Sequence, residues 1–293
     1  MEIEQLRHFV RVAEMENFTR AAEQVGLSQP ALSRSIARLE DELGQPLFER
    51  QSRKVALTEA GRLLLERART ILMLVADVTA EIGDDGQSGK VRVAAIPTVA
   101  PYLLPDCLRS FHQLFPRAQL IVLEDTTEHL LKKVAEGDLD VAICALPIGA
   151  KYVEVEPLFD EELLLVLGRD HPLAGAKTVR VADLADLPFV LLGEAHCLTD
   201  NVVSFCRQKS LHPVSVEQTN QLSMVQELVA LGHGVSLIPA MARARDTGTS
   251  RVYRSLAGQK PVRTLAMVTN PYRYRSHIVR RFTEHLRAWR PAK

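Results

Sequence analysis

The sequence predicts a chain in two parts: an all-α helix-turn-helix head continued by a long helix, then a larger α/β domain. Three observations predict it. Apolar residues recur at helical spacing over the first sixty positions, with a glycine turn between two of the helices. A run of apolar residues in alternating steps of four and three follows Thr58. From Lys90 the pattern changes to short β-branched runs separated by helical segments. At 293 residues, 46% hydrophobic and 25% charged, the chain can build two or three domains with real cores. Met1–Glu2–Ile3–Glu4 carries acid where a secretory signal carries Lys or Arg, and no apolar run approaches the roughly 18 residues of a membrane span, so a cytoplasmic protein with no membrane partner is expected. Four cysteines without CxxC spacing are too few for a disulfide scaffold and wrong for structural zinc; reduced thiols, no metal and no cofactor are expected. A formal net charge of zero neither supports nor excludes nucleic acid, which leaves the question to charge placement.

In the head, Ile3, Leu6, Phe9, Val10 and Ala13 mark a first helix, and Thr19 is expected to cap a second, Arg20 to Val25. Gly26–Leu27 makes a tight turn. Ser28 offers the N-cap of a third helix, Gln29 to Leu43, whose stripe Leu32, Ile36, Leu39 and Leu43 is expected to face helix two. Two helices joined by a short glycine-containing turn follow the helix-turn-helix plan, in which the second helix enters the DNA major groove N-terminal end first. Gln29, Pro30, Ser33 and Arg34 occupy that end. A glutamine and an arginine there can hydrogen-bond base edges, while Ser28, Ser33 or the helix-start amides can hold a phosphate. Leu47 to Val55 reads as a small hairpin or wing with Arg50, Arg53 and Lys54 placed to grip the DNA backbone. The alternative is a generic three-helix bundle with a solvated basic loop. Met1 to Thr58 holds eight Lys or Arg against nine Asp or Glu, so bulk charge does not favour DNA and residue order must carry the reading.

Thr58 is expected to cap a long helix in which Leu64, Ala68, Ile71, Val75, Val78 and Ile82 form a heptad seam over about three heptads. A coiled-coil dimer fits this seam, because two recognition helices must be held about 34 Å apart to read a two-fold site; a single helix packed on its own domain is the alternative. Gly83 to Gly89 reads as a hinge. Beyond it, strands are expected around Val91–Ala95, Leu120–Leu123, Leu139–Ala145, Leu163–Leu167, Phe189–Leu192 and Val235–Ile238. Helices are expected over Tyr102–Phe115, Glu128–Glu136 and Gln221–Leu231. Such alternation predicts a mostly parallel sheet with ligands at the strand carboxyl ends.

Two of the four cysteines are expected to be buried core residues. Cys107 falls in step with Leu104, Leu108 and Phe111, and Cys144 lies in the apolar run after Val141. Cys197 differs, because it follows a strand end, with His196 before it and Thr199–Asp200 after it, at or near a helix start. A helix N-terminus or a nearby cation raises the fraction of thiolate, the form that attacks peroxide. Cys206 lies nine positions on; within one helix that separates the Cα atoms by about 13 Å, against a limit near 7 Å for a disulfide. Joining the pair requires local refolding, and the residues alone leave open whether the two form a switch or are two buried thiols. The chain end is basic, with Arg273, Arg275, Arg280, Arg281, Arg287 and Arg290, which reads as a solvated helix face, a subunit contact or an added contribution to DNA affinity.

The motifs Phe18–Thr19–Arg20–Ala21–Ala22, Ser28–Gln29–Pro30–Ala31–Leu32–Ser33, Ile36–Ala37–Arg38–Leu39–Glu40, Leu47–Phe48–Glu49–Arg50 and Leu57–Thr58–Glu59–Ala60–Gly61 resemble the winged helix-turn-helix of LysR-type bacterial transcriptional regulators. Glu136–Gly137–Asp138–Leu139–Asp140–Val141–Ala142, Asp170–His171–Pro172–Leu173 and Gly232–His233–Gly234–Val235–Ser236–Leu237–Ile238–Pro239 resemble the effector domain of the same family. The resemblance implies a 1–58 DNA-binding domain, a 59–89 dimerisation helix and hinge, and a 90–293 effector domain of two Rossmann-like, periplasmic-binding-protein-like subdomains. These would span about 90–163 with 268–293, and 164–267, joined by crossover strands near 163–168 and 265–269. His196–Cys197–Leu198 with Asp200 and Phe205–Cys206, together with Ile96 to Pro105 and Pro157 to Glu161, resembles the peroxide-sensing members of that family. That implies a peroxidatic Cys197 and a resolving Cys206, and a hydrogen peroxide site drawn from Thr98, Thr127, His196, Asp200 and Arg263. It also implies a homodimer or homotetramer on double-stranded promoter DNA, contact with RNA polymerase, and a reductant of glutaredoxin or thioredoxin type. The alternatives are helix caps for the two threonines, a surface ion pair for Arg263, and a regulator that binds a small organic ligand with its cysteines incidental. A thiol peroxidase is a third reading, in which the helix-turn-helix has no place. Ala195 stands where the family usually has glycine, and Arg207–Gln208–Lys209 follows Cys206.

Overall fold

A computed structural model of the chain describes residues 1–49, 55–84, 88–149, 151–185, 187–193, 197–208 and 214–290. Two compact units result, Met1–Gly83 and Asp84–Lys293. Among the described residues no helix is long and apolar enough to cross a membrane.

The first unit packs α1 (Ile3–Met15), α2 (Phe18–Val25), α3 (Gln29–Leu43) and the start of α4 (Glu59–Ile82) around Leu6, Phe9, Val12, Leu32, Ile36, Leu39, Leu47 and Phe48. Helix α2 begins earlier than expected, and its cap is Asn17, not Thr19: the Asn17 side chain accepts from the Arg20 amide at 3.0 Å. Gly26 ends α2 at φ +70°, a left-handed conformation that costs glycine nothing. Ser28 caps α3 as expected, but Leu43, placed on the buried stripe, is 40% exposed in the last turn before the Gly44 cap. The Glu40 carboxylate accepts from the amides of Leu47 and Phe48, and an antiparallel bridge pairs Phe48 with Leu57, forming the base of the wing. Its tip, with Arg50, Arg53 and Lys54, lies outside the described residues. Thr58 caps α4 by accepting from the Gly61 amide at 3.0 Å, and Gly61 is required there because a Cβ would stand 2.2 Å from the Leu47 carbonyl oxygen.

The expected seam on α4 divides. Ala68 is buried in the core of the first unit, with Leu64 and Ile71 packed on it, whereas Val78 and Ile82 are 57% and 84% exposed.

Among its described residues the second unit contains one seven-stranded sheet and a two-stranded one. Strands β1 (Gly89–Ala95), β2 (Ala118–Glu124) and β3 (Val141–Ala145) are parallel, connected through α5 (Ala100–Leu114) and α6 (Thr127–Glu136). The sheet as a whole is mixed rather than mostly parallel. The 15-residue β4 (Glu154–Gly168) pairs antiparallel with β9 (Val262–Thr269) over its first half. Over its second half it pairs antiparallel with β7 (Ser236–Pro239) and β8 (Arg251–Arg254), while β9 also pairs antiparallel with β3. Long crossover strands returning between two cores must run against their neighbours, a feature that local alternation does not disclose. The small sheet pairs β5 (Pro188–Leu192) with β6 (Val214–Thr219), and between them in the chain lies α7 (Cys197–Gln208). Helices α8 (Leu222–Ala230), α9 (Ala240–Ala244) and α10 (His277–Ala288) complete the unit.

Two apolar cores form. One gathers Val91, Val93, Phe111, Ile143, Leu265 and Phe282; the other gathers Leu165, Phe189, Val202, Val225 and Ile238. Tyr102 packs against both.

Candidate functional site

The site is built where β3, α6, α7 and the two crossover strands meet. Helix α7 begins at Cys197, as the sequence reading expects. The Thr127 hydroxyl at the start of α6 and the Ala145 amide at the end of β3 lie beside the Cys197 sulfur and favour its charged form. Burial pushes this thiol above the usual cysteine range. The Arg263 charge, the Thr127 hydroxyl and the Ala145 amide pull it back, and the Asp200 carboxylate pushes it further up. Burial is the largest of these influences, so the thiol is held above the ordinary cysteine value despite its place at the start of α7.

Arg263, expected at a protein surface in one reading, is instead among the most deeply buried large side chains, 2% exposed. Its Nε donates to Glu161 Oε2 at 2.9 Å, Nη1 donates to the Thr98 hydroxyl at 2.8 Å, and Nη2 donates to the Thr98 carbonyl at 3.0 Å. The Glu161 carboxylate also accepts from the Met241 amide at 2.8 Å. Burying a guanidinium is tolerable only with this degree of pairing. The guanidinium has no acceptor, so the Thr98 hydroxyl oxygen receives from it and keeps its own O–H as a donor and a second lone pair as an acceptor. Thr98 does not cap α5: Val99 holds that position and makes no side-chain cap bond.

The structure thus brings together Cys197, Thr98, Thr127 and Arg263. Asp200 lies in the first turn of α7 with its side chain exposed. His196 and Ala195 lie outside the described residues. Sequence reasoning missed Glu161 as a member: an acid in a strand gives no local sign that the register of β4 and β9 places it opposite Arg263.

Cys206 lies at the far end of α7, fully buried, its thiol pushed up by burial to about 11. Nine helical steps at about 100° each leave the two cysteines on opposite faces of the helix, about 13 Å apart along it. Cys197 accordingly packs on the first core and Cys206 within the second. Both remain free thiols, as do the buried Cys107 and Cys144, each pushed by burial to about 12.

On α3, Gln29 and Arg34 are exposed, Ser33 is partly buried, and Gln29 Nε2 donates to the Ser33 hydroxyl at 2.9 Å. Pro30 sits in the first turn, where its missing N–H is not needed. The basic chain end is largely paired: Arg287 with Glu156, Arg275 with Glu154, Arg281 with Glu284.

Residues 3–62 match the family described as bacterial regulatory helix-turn-helix protein, lysR family, and residues 84–291 match the LysR substrate binding domain. The chain is 39% identical over 278 residues to the DNA-binding transcriptional dual regulator OxyR of Escherichia coli strain K12, covering 92% of this chain and 90% of that one. A full-length cysteine variant of OxyR from Pseudomonas aeruginosa gives a TM-score of 0.79 at 32% identity, covering 98% of this chain and 93% of that one. A cysteine-to-serine variant of OxyR from Corynebacterium glutamicum, hydrogen peroxide-bound, gives 0.65 at 32% identity, covering 98% and 91%.

Proposed function

This chain belongs to the LysR family of bacterial transcriptional regulators, among its hydrogen peroxide-inducible activators, and from that membership we propose that Cys197 and Cys206 form a reversible peroxide-driven disulfide that controls oxidative-stress genes. The observation that carries the proposal is the placement of the two thiols on opposite faces of α7, one in each core, with only Cys197 beside a buried cation and hydroxyl donors.

The chemistry balances in two steps. The Cys197 thiolate attacks one oxygen of hydrogen peroxide; the O–O bond breaks, the second oxygen leaves as hydroxide and takes a proton to become water, and Cys197 becomes a sulfenic acid. The Cys206 thiolate then attacks that sulfur, the S–S bond forms, the S–O bond breaks, and the oxygen leaves as hydroxide and takes a proton to become water. Thr98 and Thr127, with His196, hold peroxide by hydrogen bonds, and Arg263 stabilises the thiolate and the departing hydroxide. Asp200, exposed and acting against the thiolate, is left outside this set. Because α7 must come apart for the second step, the oxidised effector domain reorients the subunits of a dimer or tetramer on promoter DNA. At the groove-facing end formed by Gln29, Pro30, Ser33 and Arg34, the glutamine and arginine read base edges, Ser28, Ser33 or the helix-start amides hold a phosphate, and Arg50, Arg53 and Lys54 grip the backbone. The altered footprint changes contact with RNA polymerase in the cytoplasm. A glutaredoxin- or thioredoxin-type partner restores the thiols by exchange.

A footprint of the wild type and of Cys197→Ser, each reduced and peroxide-treated, tests this. Only the wild type should change its protected region; a Cys197→Ser protein that still responds removes Cys197 from the mechanism.

A further inference from the structure

We propose that Asn201 is a positioning residue for the resolving step: its half-satisfied buried amide keeps α7 poised to leave the seat it occupies in the reduced protein. The inference rests on the disulfide reading above. Asn201 stands four residues after Cys197, on the same face of α7. Its Nδ2 donates to the Leu146 carbonyl at 3.3 Å, beyond the usual span of a good N–H···O bond. Leu146 directly follows Ala145, the residue whose amide meets the Cys197 sulfur, so thiol and amide rest on the same strand end. The other amide atom, Oδ1, is buried and is the one buried side-chain nitrogen or oxygen among the described residues that has no hydrogen-bond partner.

Turning the amide over does not help, since that sets its oxygen against the Leu146 carbonyl oxygen. A buried acceptor left unmade opposes the arrangement that buries it, and the opposition ends when the atom reaches water. This atom sits on the helix that must come apart before Cys197 and Cys206 can meet. Another polar group of the same turn is firmly held: the Thr199 hydroxyl donates to the Leu192 carbonyl at 2.8 Å, tying α7 to the end of β5. The loose seat therefore faces Leu146, beside the reactive thiol. Asn201 acts after peroxide has left its oxygen on Cys197 and before the S–S bond forms.

The test uses the full-length protein with hydrogen peroxide, following sulfenic acid by trapping in a Cys206→Ser background and the Cys197–Cys206 disulfide by quench and mass measurement. Asn201→Leu replaces the amide by an apolar group of similar shape, removing the unmade acceptor together with its long bond to the Leu146 carbonyl. Disulfide formation should slow by about three- to tenfold, sulfenic acid formation should stay unchanged, and Asn201→Gln, which keeps the amide, should stay near wild type. An unchanged or faster disulfide step in Asn201→Leu overturns the proposal, as does an equal slowing of sulfenic acid formation. A wild type that makes no Cys197–Cys206 disulfide overturns the switch reading and this proposal together, whereas a wild-type disulfide with an unaltered Asn201→Leu rate overturns this proposal alone.

Discussion

Arg263 carries one charge with two consequences. It lowers the cost of a thiolate at Cys197, and it neutralises Glu161 in the interior. Arg263→Met should therefore raise the apparent pKa of Cys197, read as a shift to higher pH in its alkylation profile. It should also destabilise the fold by about 3–5 kcal/mol through the carboxylate left unpaired. Adding Glu161→Leu should recover most of that stability and none of the reactivity, which separates the electrostatic role from the structural one. The three thiols other than Cys197 carry a pH signature of their own. Burial raises Cys107 and Cys144 to about 12 and Cys206 to about 11, above the ordinary value of 9.0. Acids that hold their protons more tightly in the fold leave stability intact below the unfolded value and drain it as pH rises toward the folded one. The urea midpoint of the reduced protein should fall from about pH 9 upward, and Cys144→Ala should flatten that fall. The sequence places Cys107 and Cys144 correctly in the core because each follows the period of its apolar neighbours. Arg263 defeated the same reasoning, since no local pattern reveals a buried partner a hundred positions away.

Element boundaries show how far side-chain chemistry reaches. Asn17 and Thr19 both favour a helix cap, and only the observed bond from the Arg20 amide ranks them. Ser28 and Thr58 had no such competitor nearby, and both cap as expected. On α4 the heptad pattern is present throughout, yet its two halves meet different surroundings. The first half is covered by the core of its own unit, while Leu74, Val78 and Ile82 stay exposed. A row of exposed apolar side chains on one helix calls for a partner helix. Val78→Lys combined with Ile82→Lys should shift the protein toward monomer in light scattering and weaken binding to a two-fold operator, with the fold of each unit unchanged by circular dichroism.

At the scale of the whole molecule, the α/β character of the second unit was legible from alternation, and the parallel trio β1, β2 and β3 follows it. The crossover strands were not, because β4 and β9 are joined by pairing across about a hundred residues and their antiparallel sense is a property of the assembled sheet. The site inherits this: Thr98, Thr127, Cys197 and Arg263 come from four separate stretches of chain, and motif resemblance found them where periodicity could not. The opposite-facing cysteines of α7 set the character of the signal. A ligand held by contacts leaves as its concentration falls, and the response falls with it. In the proposed switch the signal is a covalent bond that outlasts the oxidant, so each copy would store a past exposure until a reductant erases it. On that proposal the duration of the transcriptional response would report the supply of reducing equivalents, and the peroxide level only how it begins.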